Sequence, residues 1–411
     1  MTGMSNNSTR LLLLTLGLIL LTASCYQAQA SNLDNLGLNQ VNVAWEKQTP
    51  STAPKGRTNG NFVYDTTRNI SLLFGGFDDD IDNNVWTYDG SAGKWNELQT
   101  TNQQSIFRVS TAAYDSTNDK IITFGGSDFG NYHDQTWSFD YTSKTWTQMS
   151  PDTSPSQRWQ ASMVFDEKHD RVILFGGNYL TNVLGDTWSY DYTSDNWTQL
   201  SPQTSPSARG GHSMVYDSIH EKVLLFGGWG DTSVNAPIMN DTWEFDVDTN
   251  EWTLLDDDVT GLSRGSAGMV YDNVNQGLIL FGGTHDGYLA DTWFFNSSTN
   301  HWTQLSTTDK PSSRATRNGL VYDVSAEKVV LFGGYDGDTY YNDTWEFMME
   351  NVLPTNSMGS TTTGNTESTT STPPNDSGSK DSPLSITYLL LGLIAVPVTR
   401  KLQLRSKKHK H

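Results

Sequence analysis

Six short loops carry the side chains in this chain best equipped for recognition. Each follows a Phe-Gly-Gly triplet. They read Phe77-Asp78-Asp79-Asp80-Ile81-Asp82, Asp128-Phe129-Gly130-Asn131-Tyr132-His133, Asn178-Tyr179-Leu180, Trp229-Gly230-Asp231, His285-Asp286-Gly287-Tyr288, and Tyr335-Asp336 with Tyr340-Tyr341. Aromatic rings stack on the C–H faces of sugars while Asp, Asn and His meet hydroxyls; the same mixture serves a protein edge. The candidate ligand-binding residues of this type are Tyr132, His133, Tyr179, Trp229, His285, Tyr288, Tyr335 and Tyr340. Each could equally be an ordinary polar or packing residue of a surface loop. Asp78, Asp79, Asp80 and Asp82 could hold calcium, because clustered carboxylates suit a hard cation, although their spacing completes no loop signature. No histidine pair has zinc spacing. His212, beside Gly210-Gly211, stands alone, and no residue is assigned a catalytic role.

The elements that position these loops recur along the chain. The second glycines of the Phe-Gly-Gly triplets (Gly76, Gly126, Gly177, Gly228, Gly283, Gly334) are separated by 50, 51, 51, 55 and 51 residues. Each repeat opens with an arginine: Arg57, Arg108, Arg158, Arg209, Arg264 or Arg314. An apolar run ending in aromatic-Asp follows, as in Ser213-Met214-Val215-Tyr216-Asp217, and then the run into Phe-Gly-Gly. After the loop comes a segment around one tryptophan, as in Thr242-Trp243-Glu244-Phe245, and a last segment opened by another, as in Trp252-Thr253-Leu254. Segments of four to six residues, rich in β-branched and aromatic types and bounded by Gly, Asn, Asp or Ser, read as strands. Short connections make neighbours antiparallel. Four strands per repeat at a period near 50 predict a radial array of small sheets. The start of the first strand and the end of the second then lie at one end of each blade. The arginines and the loops therefore share one face of the disc, and short hairpins such as Asp166 to Arg171 occupy the other.

The arginine, the Phe-Gly-Gly and the two spaced tryptophans together resemble the kelch repeat, from about residue 45 to 350. That resemblance implies an all-β, six-bladed β-propeller of four-stranded antiparallel blades, related in fold to the central domain of galactose oxidase. It also implies partner binding on the loop face, with the arginines before the first strands contributing: Arg108, Arg158, Arg209, Arg264 and Arg314. The same arginines could instead form a structural ring that bonds carbonyls and loop carboxylates. The expected function is a binding or adhesion protein recognising a carbohydrate or protein ligand. The alternative is an extracellular carbohydrate-active enzyme, for example one with epimerase-like activity, since a fold does not fix a function. Galactose oxidase chemistry needs a Tyr–Cys crosslink, and a ring without cysteine lacks it.

Spacing also predicts how the ring closes. Trp146, Trp197, Trp252 and Trp302 each precede the next arginine by 12 residues; Trp45 precedes Arg57 by 12, and no such tryptophan follows Trp345. Residues 41–47 are therefore expected as the fourth strand of the last blade, which removes two unpaired sheet edges.

Outside the ring, Arg10, the apolar run Leu11 to Leu21 and Ala28-Gln29-Ala30 read as a secretory leader over residues 1–30. Cys25 is the sole cysteine and falls within it, where it could alternatively accept a lipid. Residues 354–382 are Ser, Thr, Pro, Gly and Asn in character, as in an extended O-glycosylated stalk. Residues 383–399 are apolar and residues 400–411 basic, as in a transmembrane or sorting segment with a cytoplasmic tail. These readings place the ring, residues 41–350, outside the cell and tethered to it. Asn69, Asn196, Asn240, Asn296 and Asn342 head glycan-acceptor triplets. Residues 1–350 hold 19 basic and 43 acidic groups, a net charge of −24. A field of that sign repels phosphates, so nucleic acid is not an expected partner. The ring is expected to be a monomer that meets an extracellular protein or glycan.

Overall fold

The computed structural model describes residues 41–78, 84–102, 109–128, 130–230, 237–256, 259–307 and 309–351. The segments expected as leader and stalk, the C-terminal apolar and basic residues, Arg108, Asp79, Asp80 and Asp82 lie outside these residues. No helix among the described residues is long and apolar enough to cross a membrane.

The repeats fold as six four-stranded antiparallel sheets. Blade 1 comprises Asn61–Asp65, Ile70–Phe74, Val85–Asp89 and Lys94–Leu98. Blade 2 comprises Thr111–Asp115, Lys120–Phe124, Thr136–Asp140 and Thr145–Gln148. Blade 3 comprises Ser162–Asp166, Arg171–Tyr179, Asn182–Asp191 and Asn196–Leu200. Blade 4 comprises Ser213–Asp217, Lys222–Phe226, Thr242–Asp246 and Glu251–Asp256, and blade 5 Gly268–Asp272, Gly277–Phe281, Thr292–Asn296 and His301–Leu305. Blade 6 takes Leu320–Asp323, Lys328–Phe332 and Thr344–Asn351 from the end of the ring and Val41–Gln48 from its beginning. Trp45 lies opposite Phe347, and Lys47 opposite Trp345. The first strands neighbour one another in a circle that includes the step from blade 6 back to blade 1, and they line a central channel.

Alternation along each strand puts apolar residues on both faces, because every blade is covered by two neighbours. The buried side chains accordingly separate into six clusters, one in each seam between blades. Trp45 reaches across one such seam: its indole N–H donates to Thr292 Oγ1 of blade 5 at 2.9 Å. The same bond joins Trp95 to Thr344, Trp197 to Thr136, Trp252 to Thr187 and Trp302 to Thr242. Each fourth strand is thus fastened to the third strand of the preceding blade. Blade 2 is the exception. Trp146 faces blade 1, where Val85 stands in the threonine's place, and its buried N–H has no partner among the described residues.

A second fastening runs through the repeat arginines. The backbone of Arg209 belongs to blade 3: its N–H donates to Leu184 O, and its carbonyl accepts from Gly177 N–H. Its guanidinium belongs to blade 4. It donates to Gly227 O at 3.1 Å and forks onto Asp241 at 2.5 and 2.7 Å, while Ser207 takes the remaining donors. All five N–H hydrogens are used. Arg158 repeats the arrangement with Asp186, Arg264 with Asp291 and Arg314 with Asp343. The glycine pair is the matching half of this clamp. A Cβ on Gly227 would stand 2.5 Å from Arg264 O, and one on Gly333 2.6 Å from Arg57 O; both glycines also have positive φ.

Two outcomes follow. Val85→Thr, nearly isosteric, supplies the missing acceptor for Trp146 and is expected to raise unfolding stability by about 1 kcal/mol, read in denaturant melts; an unchanged midpoint would refute it. The four clamp carboxylates (Asp186, Asp241, Asp291 and Asp343) are raised by burial, but the arginine bonds and charge and the tryptophan N–H outweigh it, so each lies below its ordinary value. A lowered native pKa stabilises fully above the unfolded carboxylate value near about pH 4 and is lost as pH falls through the native values. Stability should therefore fall steeply below that pH, and less steeply in Asp241→Asn; identical slopes would remove the clamp from the acid response.

Candidate functional site

The loop face is built on the clamps. Arg158, Arg209, Arg264 and Arg314 are at most 1% exposed, so the structure places four of the five candidate arginines inside the blade seams, bonded to carbonyls and carboxylates. Arg108 lies outside the described residues. The loops project beyond this layer, and the candidate aromatics stand on them half-buried, each with part of its ring exposed.

Two groups of rings form. In blades 2 and 3, Tyr132 meets Tyr179 edge-on with centroids 5.6 Å apart and lies 6.4 Å from Trp159. Tyr132 is held by a two-residue ladder, Ser127 opposite Tyr132, and Tyr179 by the extended hairpin of blade 3, whose tip residue Leu180 is 55% exposed. The neighbouring His133 places Nε2 3.3 Å from Asp128 Oδ1. Across the blade 5, 6 and 1 sector, Tyr335 stacks on Tyr340 at 4.5 Å and 25°, with Tyr288 edge-on to Tyr335 at 6.1 Å and Phe77 edge-on to Tyr340 at 5.9 Å.

Hydrogen bonds fix that second loop from within. Asp336 accepts the N–H groups of Asp338 and Thr339 and the Tyr341 hydroxyl. The Tyr341 bond, foremost, holds the Asp336 carboxyl below its ordinary value. Tyr335 donates its hydroxyl to Gly337 O, and Tyr341 lies flat on the Arg314 guanidinium, 3.7 Å from ring centre to Cζ. His285 donates Nδ1–H to Ser263 O at 2.9 Å and remains exposed. Trp229 lies between the two groups, on the backbone of blades 4 and 5: a Cβ on Gly211 or Gly265 would collide with its ring at 2.2 or 2.5 Å.

Phe77 and Tyr341 stood in the expected loops without being named as candidates, and Trp159 lay outside those loops. Trp159 was detectable, since it follows the clamp arginine where other repeats carry Thr58, Gly210, Gly265 or Ala315. Of the acidic run only Asp78 is described, so the calcium candidate cannot be assembled from the described residues. His212, 1% exposed, is kept neutral by burial, with Arg209 and Arg317 reinforcing the effect.

The channel holds two further concavities. Toward the hairpin face it widens to about 270 Å³ between first-strand residues including Tyr64, Tyr114, Tyr216, Tyr271 and Tyr322. Toward the loop face it narrows to about 100 Å³ beneath Arg317 and Asn318.

A ring of six blades joined at the described seams by arginine–glycine clamps, with variable aromatic loops on the clamped face, is a kelch-type β-propeller. Residues 24–228 and 216–373 match the KLHDC2/KLHL20/DRC7 Kelch-repeats domain, and the chain belongs to that kelch-repeat family. Over 122 residues, 29% of this chain, it is 30% identical to Mei4-dependent protein 6 of Schizosaccharomyces pombe, of which the match spans 17%. Over 197 residues, 45% of this chain, it is 23% identical to Kelch domain-containing protein 10 of Xenopus tropicalis, of which the match spans 46%. The chain thus covers less than half the length of each of these relatives.

Clamp and surface roles separate by mutation. Arg209→Met leaves Asp241 buried without its partner and is expected to cost about 3–5 kcal/mol of stability. Tyr335→Ala, at a half-exposed ring, should cost no more than about 1 kcal/mol. Denaturant unfolding of both variants checks the contrast, and equal losses would contradict it.

Proposed function

We propose that this kelch propeller is a binding module that docks a protein partner on its loop face, with the Tyr288, Tyr335, Tyr340 and Tyr132, Tyr179 groups as anchors and Trp229 between them. The observation that carries the reading is that these rings are half-exposed yet held in place by their loops. Rigid aromatics give large contact area at small entropic cost. The guanidiniums of the four described candidate arginines are consumed by the clamps, so recognition on this face falls to the aromatics and to loop carboxylates and amides. The acidic balance favours a partner surface carrying Lys or Arg.

The sequence features outside the ring support display on the exterior of the cell: a leader, a Ser/Thr/Pro stalk and a C-terminal apolar segment followed by basic residues. Loss of the propeller from intact cells on protease treatment is the expected outcome; full protection would place it inside.

The docking proposal is tested in the full-length chain with a photocrosslinking residue at Tyr335 or Tyr179 and, as a contrast, at Val274 or Val324. The latter two are exposed at 51% and 43% on the hairpin face. Adducts with one protein from the first pair alone are expected, and Tyr335→Ala should lower the affinity for that partner about tenfold or more. Adducts only from the hairpin face would move the site to the wide end of the channel. Binding on a glycan array without a protein adduct would replace the protein with a carbohydrate, and turnover of a bound sugar would make the chain an enzyme.

A further inference from the structure

Arg317 sits three residues after the clamp arginine Arg314 and shares none of its partners. It opens the 3-10 turn Arg317–Gly319 at the loop-face end of the channel, with φ +36, and its N–H is tied to Ser266 O. The side chain is 3% exposed. It spans from blade 6 to blade 3, where Nη2 donates to Ala161 O at 2.8 Å. Nε and Nη1, which carry three hydrogens between them, have no acceptor, and Arg317 makes no ion pair among the described residues. Arg314, by contrast, forks onto Asp343 and also bonds Ser312 and Gly333.

The cavity beneath Arg317 is lined by neutral side chains, polar and apolar, with no carboxylate among them. Its wall includes Asn61, Thr111, Ser162 and Ser213, the first residues of the first strands in blades 1 to 4, with Asn318 above. Ser162 and Ser213 donate their hydroxyls to the carbonyls of His212 and Ala267, and Asn61 Nδ2 donates to Ser110. These residues shape the cavity but bring no negative charge. His212 is neutral and adds none. A guanidinium in such a place is expensive, since an unpaired charge inside a protein costs several kcal/mol. Burial alone draws Arg317 down to about 9, so it remains a cation at neutral pH. Water within about 100 Å³ can accept its hydrogens but cannot balance its charge.

We infer that the loop-face end of the central channel is an anion site, in which the Nε and Nη1 groups of Arg317 hold one small anion, a halide or a compact oxyanion such as a carboxylate or phosphate. This site is separate from the aromatic loop surface and does not depend on the identity of any partner. The anion would act as the missing counterion of Arg317 at this end of the channel. Charge-assisted bonds from a desolvated guanidinium are the strong class of such contacts.

The test is the melting temperature of the full-length chain at fixed ionic strength, replacing gluconate, which is too large for the cavity, with chloride, acetate or phosphate. The melting temperature should rise by a few degrees between about 1 and about 100 mM of at least one small anion, as binding to the native state alone requires. The anion giving the largest rise identifies the class. Arg317→Met should abolish the rise and, in gluconate, melt at or above the wild-type temperature. No rise with any of the three anions, or an equal rise in Arg317→Met, would overturn the proposal. Should Arg317→Met not fold, wild-type crystals soaked in bromide decide the matter: an anomalous peak beside the Arg317 guanidinium supports the site, and peaks only elsewhere overturn it.

Discussion

Every seam of this ring where the clamp is described turns on an arginine whose backbone is held by one blade and whose guanidinium is held by the next. The rest of the repeat follows from that division. At these seams the first glycine of the pair has no Cβ because the next arginine's carbonyl approaches to contact distance, as Arg264 O does at Gly227. The second glycine donates its N–H to the same carbonyl, as Gly228 does to Arg264. The aspartate before the third strand receives the fork and also accepts the indole N–H of the tryptophan that follows it, as Asp241 does from Trp243. A residue pattern spread over some 30 positions is therefore one joint, repeated around a circle.

Closing the circle with Val41–Gln48 matters because a joint of this kind works only between neighbours. Without that strand, Thr292 would lose the Trp45 indole, and the cluster between blades 5 and 6 would lose its largest member. The joint is also less complete in two places. Asn84 and Gln135 stand where blades 3 to 6 have the aspartate, and Trp86 and Trp137 consequently keep buried N–H groups without partners. Together with Val85, these substitutions leave three buried tryptophan N–H groups in blades 1 and 2, those of Trp86, Trp137 and Trp146, without partners among the described residues.

The same joint decides what the loop face can offer. An arginine with all five donors engaged cannot also grip a ligand, so contact falls to the loops that stand above it. Those loops differ in length and composition because the clamp ends at their base and places no demand on their tips. Hydrogen bonds such as those around Asp336 then stiffen each tip separately. The outcome is a uniform foundation carrying individual aromatic surfaces.

Repetition made the architecture legible from residues alone. Six Phe-Gly-Gly triplets in register with six arginines and paired tryptophans determine blade number, strand order and the face that carries the loops, and the 12-residue step from Trp45 to Arg57 determines the closure. Each of these depends on spacing along the chain, which periodic strands convert directly into position. Partnership across the ring was not legible. Arg314 and Arg317 are the same residue type three positions apart, yet one forks onto Asp343 of blade 6 and the other crosses the channel to Ala161, 156 residues away. Likewise Tyr288, Tyr335, Tyr340 and Phe77 come from three repeats and form one surface only where blades 5, 6 and 1 converge. The sequence by itself determined the wheel, because strand periodicity is local. Which of the described arginines are spent on it, and that Arg317 has no ion pair among the described residues, were decided by the closed ring alone, because burial and charge pairing depend on neighbours that only closure brings together.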